Sequence, residues 1–594
     1  MRRFAVTTAL ALAMATVPAP PAPAARTGPP ASEPLPRTGS RPPGPATRTG
    51  SRPPEAVTRR GQGPSGADAR TGARTGAGTG ARARARAPEA GSGDGDGAVG
   101  WSRAARGGGL VAGARFGHQE LRWKRCPAPA SVQGAGGRPG PLPDGTPWEC
   151  ATMRVPLDHA RPGGPRMRLA LVRAQARPGR GERRIGSLVF NFGGPGDSGV
   201  VTLPSIARDI YLKLHRRYDL VSLDPRGVGR SDGVRCLDSR EFDAWRGLDG
   251  TPDDRAEESA LGAGFRAFTA ACVRNARDTL PYVGTVNAAR DLDLLRQALG
   301  EERLHYFGIS YGTRLGGVYA HLFPHRVGRM VLDGAVDPTE DVARTALHQA
   351  KGFQRALDGF LRDCAGRRDC PARGVKRGRE RIARLLHRLD AEPLPTSGGR
   401  RLTQTHALYG IAAALYSHRF WPYLRTALHT AIEGRDGELL LRFSDALYGR
   451  GADGHYTTLQ SANTAVSCAD FSDRYTAAGV RSRLLEFRSA SPVFGELMAW
   501  SLLQCTGWPV AGAAPASDVS APGAPPILVV GTTGDPATPY EGAARMAERL
   551  GSGVELIHRG EGHGAYGAGS ACVDAAVNRF LMDGTVPADR TTCS

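Results

Sequence analysis

The residues Gly308-Ile309-Ser310-Tyr311-Gly312 place a serine between two glycines, after a short apolar run and before a helical one. A serine hydroxyl becomes a useful nucleophile when a sharp strand-to-helix turn exposes it beside a base, and flanking glycines let the backbone make that turn without Cβ clashes. The following helix would aim the N–H of Tyr311 at charge developing on an attacked carbonyl. A second glycine-rich turn, Asn191-Phe192-Gly193-Gly194-Pro195-Gly196, follows another strand-like run. It can supply the other half of an oxyanion hole. It lacks both the Gly-Lys-Ser/Thr ending of a phosphate loop and the glycine spacing of a dinucleotide loop.

The base and the acid that orients it are expected downstream, in the order Ser, acid, His. Gly531-Thr532-Thr533-Gly534-Asp535-Pro536 follows the β-branched run 527–530, and Gly560-Glu561-Gly562-His563-Gly564 follows the run 554–557. Open α/β sheets build their sites at the carboxyl ends of strands, so this pattern points to Ser310 as nucleophile, His563 as base and Asp535 as the residue that orients the base. Asp333, at the end of the strand after the nucleophile, is the competing acid. His558 reads as a packing residue within its strand. Asp224 in Asp224-Pro225-Arg226-Gly227-Val228-Gly229-Arg230-Ser231 reads as structural, with Arg226 and Ser231 bracing the turn.

The elements that must position these residues follow from periodicity. Strand-like runs at 153–157, 167–174, 187–192 and 218–223 lead into an alternation of helix and strand: helix 285–299, strand 304–309, a helix from Tyr311, strand 329–332. From about 338 to 521 the pattern becomes helix after helix, including 357–364, 379–389, 408–416 and 424–433. The alternation then resumes with strand 527–530, helix 540–550, strand 554–557 and helix 571–581. That order predicts an α/β-hydrolase fold, a mostly parallel doubly wound sheet with an inserted helical cap. The expected parts are 116–337 for the first part of the core, 338–521 for the cap and 522–594 for the rest of the core.

Residues 1–25 have the order of a secretory signal: Arg2 and Arg3, an apolar run from Phe4 to Val17, then small residues and prolines. That run is too short for a good membrane span, and no later segment comes closer, so a mature chain without a span is expected, secreted or extracellular. Residues 26–115 are rich in Arg, Gly, Pro and Ala and read as a disordered linker or pro-segment. Much of the net charge of +21 over 594 residues comes from such Arg-rich sequence. No stacking platform or recognition module accompanies it, so nucleic acid is not expected as a partner; the cell wall or another anionic surface is the contact this stretch would favour. Ten cysteines suit an exported chain. Neighbour pairing is the simplest scheme: 126 with 150, 236 with 272, 364 with 370, 468 with 505, and 572 with 593. None of them has zinc-site spacing.

From about Trp123 to its C-terminus the sequence resembles the secreted tripeptidyl aminopeptidases of actinobacteria, relatives of proline iminopeptidase. The likeness rests on Gly193-Gly194-Pro195-Gly196-Asp197-Ser198-Gly199, the run from Asp224 to Ser231, Asp291-Leu292-Asp293-Leu294-Leu295-Arg296 and the Ser310 turn. Ser467-Cys468-Ala469-Asp470, Cys505, Trp508 and the Asp535 and His563 motifs extend it. The resemblance implies a serine exopeptidase that releases short peptides, tripeptides above all, from free N-termini. Gly194 and Tyr311 would then hold the oxyanion, and no metal or organic cofactor would be required. An exopeptidase also needs an anion for the substrate ammonium, for which Asp470 and Glu496 in the cap are the candidates. Two other readings remain: a carboxylesterase or lipase-like hydrolase with the same triad, and a non-catalytic exported wall-associated protein.

Overall fold

The computed structural model describes residues 116–594 apart from 135, 435 and 513–516. The expected signal and the Arg-rich linker therefore lie outside the described residues.

Among the described residues twelve strands follow in chain order: β1 (Lys124–Arg125), β2 (Glu149–Pro156), β3 (Arg166–Ala174), β4 (Gly186–Asn191), β5 (Tyr218–Leu223), β6 (Leu304–Ile309), β7 (Val327–Asp333), β8 (Leu394–Pro395), β9 (Arg401–Leu402), β10 (Ile527–Gly534), β11 (Gly553–Glu561) and β12 (Thr591–Cys593). Ten of them form one sheet in the order β1-β2-β3-β5-β4-β6-β7-β10-β11-β12. β1, β2, β3 and β5 pair antiparallel in succession. From β5 to β12 all pairs are parallel. Every residue of β4 is buried, as a parallel strand covered on both faces requires. Val189 of β4 joins an apolar cluster with helices Thr285–Ala298, Tyr311–Leu322 and Tyr540–Leu550. Its neighbours Leu188 and Phe190 join another with helices Gly199–Ile210 and Ala571–Asp583.

Between β7 and β10 the chain is helical apart from the β8–β9 hairpin. Helices Val342–Cys364, Val375–Ala391, Gln404–Leu415, Trp421–His429 and Glu438–Tyr448 bury their apolar stripes in a cluster of their own. Local signals set several of these ends. The Thr403 hydroxyl accepts the N–H of His406 at 3.2 Å, an N-cap, and Gly449, with φ of 71°, ends Glu438–Tyr448 in the left-handed conformation that glycine adopts readily. The helix expected over 424–433 runs instead from Trp421 to His429 and widens into a π-turn over Thr430–Gly434. The sequence pattern did not indicate the two-residue strands β1, β8 and β9 or the three-residue β12, because runs that short carry no period to read. All five neighbour pairings of the cysteines are present as disulfides.

Candidate active site

Ser310 links β6 to helix Tyr311–Leu322 with φ 58° and ψ −124°. Among the described non-glycine residues only Asp232 and Arg590 also have positive φ. Such a backbone costs about 1–3 kcal/mol and persists because its neighbours hold it. The Ser310 N–H donates to the carbonyl of Asp333 at 3.1 Å, and the Ser310 carbonyl accepts the N–H and hydroxyl of Thr313 at 2.8 and 2.6 Å. Two glycines are required by close approach. A Cβ on Gly312 would lie 2.5 Å from the Asn191 carbonyl oxygen, and one on Gly193 would lie 2.8 Å from Cβ of Ser310. The turn after β4 is thus pressed against the serine. Its next residue, Gly194, shares the wall of one cavity with Ser310 and Tyr311.

Asp535 directly follows β10 and His563 lies two residues beyond β11, at the same end of the sheet as Ser310. Nδ1 of His563 lies 3.0 and 2.9 Å from the two Asp535 oxygens, with the residues 3% and 1% exposed. Asp535 also accepts the N–H groups of Ala537, Thr538 and Gly564 and the Thr538 hydroxyl, at 2.9, 2.8, 3.2 and 3.0 Å. A carboxylate so fixed keeps the neutral ring protonated on Nδ1 and leaves Nε2 as the basic nitrogen. Burial works against the charged imidazole, but Asp535, with a smaller push from Asp333, holds its pKa above the ordinary histidine value. The cap contributes directly: the His563 N–H donates to the Tyr416 carbonyl at 2.8 Å, and the two rings meet edge to face at 5.4 Å.

Asp333, the competing acid, turns its carboxylate to the backbone instead. It accepts the N–H groups of Ala565 and Tyr566 at 3.0 and 2.9 Å, while its carbonyl holds Ser310. One residue therefore ties the serine turn to the histidine loop. Burial pushes its carboxyl up to about 6. A Cβ on the adjacent Gly334 would lie 3.2 Å from Cε1 of His563, so the imidazole lies against the residue next to Asp333.

The cavity over Ser310 has a volume of about 630 Å³. Of the two acids expected to hold an ammonium, Asp470 lines it and Glu496 does not. Glu496 is paired with Arg488 at 2.6 Å on the cap. Asp470 accepts the N–H and hydroxyl of Thr285 at 2.7 and 2.5 Å, capping helix Thr285–Ala298 from another element, and burial pushes it up to about 6. The Thr285 hydroxyl continues to the Tyr311 hydroxyl at 2.6 Å.

A family model described as "TAP-like protein" matches residues 491–593. The serine protease Hip1 of Mycobacterium tuberculosis is 36% identical over 460 residues, 75% of this chain and 87% of its own length. Carboxylesterase B of the same organism is 36% identical over 458 residues, 75% of this chain and 86% of its own. The tripeptidyl aminopeptidase of Streptomyces lividans is 30% identical over 502 residues, 83% and 90% of the two chains. The chain belongs to the tripeptidyl aminopeptidase family. It is a hydrolase of the α/β-hydrolase fold, and its sheet order and strand-turn-helix serine agree with that membership.

The remaining motif residues brace this rim. Asp224 accepts the Ser198 hydroxyl at 2.6 Å and the Arg230 N–H at 2.9 Å, and the Ser231 hydroxyl donates to its carbonyl at 2.5 Å. Arg226 is fully buried and forks onto Asp291 at 2.7 and 2.6 Å, so it fastens helix Thr285–Ala298 rather than its own turn. Sequence reasoning missed Thr538 and Tyr416. An Asp followed by Pro and a Thr at the third position is an Asx-turn signal that could have flagged Thr538, whereas nothing local marks a cap carbonyl as the partner of a histidine nearly 150 residues on.

Proposed function

We propose that this protein is a secreted serine exopeptidase that releases short peptides, chiefly tripeptides, from free N-termini. The observation that carries the reading is the buried Asp535–His563 pair on a rim that Asp333 ties to the strained turn of Ser310. In the proposed chemistry His563 Nε2 takes the Ser310 proton as Oγ attacks the scissile carbonyl. The N–H groups of Gly194 and Tyr311 receive the negative charge of the tetrahedral intermediate. Its collapse breaks the C–N bond, and the imidazolium returns the proton to the leaving amine. Water, deprotonated by the same histidine, then attacks the acyl carbonyl, the bond to Oγ breaks, and the imidazolium returns the proton to Ser310 as the peptide leaves with a free carboxyl group. Asp535 keeps the ring in the productive tautomer throughout. Asp470 is the cavity carboxylate proposed to receive the substrate ammonium; two of its lone pairs hold Thr285 and the others remain for a third donor. Five disulfides and a secretory N-terminal order support export.

The second reading, a carboxylesterase, is favoured by one observation: a relative of that name is as similar as the peptidase Hip1. Hydrolysis of tripeptidyl and N-blocked tripeptidyl coumarin amides, set against p-nitrophenyl esters, separates the two. Rapid cleavage of the free tripeptidyl amide with loss on blocking is expected. Ester turnover with negligible amide turnover would replace the peptidase reading.

A further inference from the structure

Beside the large cavity lies a chamber of about 80 Å³, and Ser501 and Gln504 belong to the walls of both. The turn Ser501–Cys505 therefore stands between the two spaces. The chamber wall is mainly aromatic and aliphatic, with Trp245, Phe265, Phe268, Tyr448 and Trp500, and no Asp or Glu is among its described lining residues. One residue in it is charged.

That residue is Arg246, only 4% exposed. Its guanidinium carbon is 3.4 Å from the ring centre of Tyr448 and 4.8 Å from that of Tyr409, and Nη2 donates to the Ser444 hydroxyl at 2.6 Å. The acids behind it are already held. Arg450 donates twice to Asp243 at 2.9 and 3.0 Å, and Arg400 donates to Asp445 at 2.5 Å. Three guanidinium groups thus share two carboxylates, which leaves one positive charge in excess. His406 nearby stays neutral, since burial, with Arg246 and Arg400, pushes it down to about 3. The indole N–H groups of Trp245 and Trp500 have no acceptor among the described residues. Buried donors without acceptors and a buried cation without its own anion are both costly, and a guest that brings a carboxylate would relieve both.

We propose that this chamber is a substrate subsite for a side chain that ends in a carboxylate, Glu or Asp, reached from the large cavity past Ser501 and Gln504. The inference rests on the peptidase reading and adds a specificity to it. Its aromatic walls would enclose the methylene stem, while Arg246 and the two indoles would receive the oxygens.

The test uses tripeptidyl coumarin amides with Glu, Gln, Leu or Phe at each position in turn, on the full-length protein and on Arg246→Met and Trp500→Phe. At one position Glu is expected to exceed Gln and Leu in kcat/KM by about tenfold or more. That ratio should collapse in Arg246→Met and shrink in Trp500→Phe, which keeps an aromatic ring in the wall and loses the pyrrole part of the indole with its N–H. Should Arg246→Met fail to fold, the Trp500→Phe ratio decides. Amide cleavage with no preference for Glu at any position, or a preference unchanged in the variants that fold, overturns the subsite and leaves the peptidase reading standing. Ester turnover without any amide cleavage overturns both.

Discussion

At the sheet rim, Asp535 is met by the N–H groups of three residues, a hydroxyl and the imidazole. In the wall of the smaller chamber, Arg246 has one hydroxyl and two ring faces, and two indole N–H groups nearby have no acceptor among the described residues. Both centres are buried and both are ionic. The rim is satisfied from within, as a group must be when it holds another side chain in one orientation through every turnover. The chamber keeps its donors unspent, which suits a place where a guest completes the bonding. A third centre, Arg226 with Asp291, is satisfied from within as well but lines neither of these two cavities, and it fastens a helix.

These differences predict different responses to substitution. Asp535→Asn leaves the volume of the rim unchanged but no longer favours the imidazolium, and kcat should fall about 10⁴-fold. Asp535 raises the affinity of His563 for its proton, and the proposed mechanism uses the neutral base. The acid limb of kcat/KM in the unaltered protein should therefore lie above an ordinary imidazole's, and in the variant's residual activity it should move to lower pH. Arg226→Ala should act on stability rather than chemistry. It leaves the buried Asp291 with His159 as its remaining side-chain partner, at 2.8 Å, at a cost of about 3 kcal/mol, read by denaturant unfolding, with kcat of the folded fraction little altered.

Asp470→Asn sharpens the comparison through pH. The carboxyl of Asp470 rises to about 6 in the folded protein. A raised acid contributes stability fully below its unfolded value near 4, and loses it as pH climbs through about 6. The variant should escape that loss and gain about 3 kcal/mol relative to the unaltered protein between pH 4 and pH 8, measured by unfolding at each pH. The smallest effect is expected for Thr538→Val, which removes one hydroxyl from Asp535; kcat should fall about fivefold, corresponding to about 1 kcal/mol, with KM nearly constant.

The rim was legible in the sequence because each of its parts is local. The glycines around Ser310 and the strand before each loop can be read from a few adjacent residues, and β5, β6 and helix Tyr540–Leu550 have the very bounds the pattern predicts. The chamber was not legible. Arg246 meets Tyr409 and Tyr448 only after the cap folds over some 160 to 200 intervening residues, and no period or motif encodes that meeting. The pairing of Glu496 was not legible for a related reason, since an acid on a cap helix gives no sign in sequence that an arginine eight positions earlier will take it. The Tyr416 carbonyl on His563 belongs with these contacts that exist only between core and cap.

The most direct test of the central claim is peptide mapping after reaction with a serine-directed fluorophosphonate. One adduct is expected, on Ser310, formed quickly at pH 8, absent from Ser310→Ala and slowed by orders of magnitude in His563→Ala. An adduct on another serine, or labelling of Ser310 at an unchanged rate without His563, would contradict it.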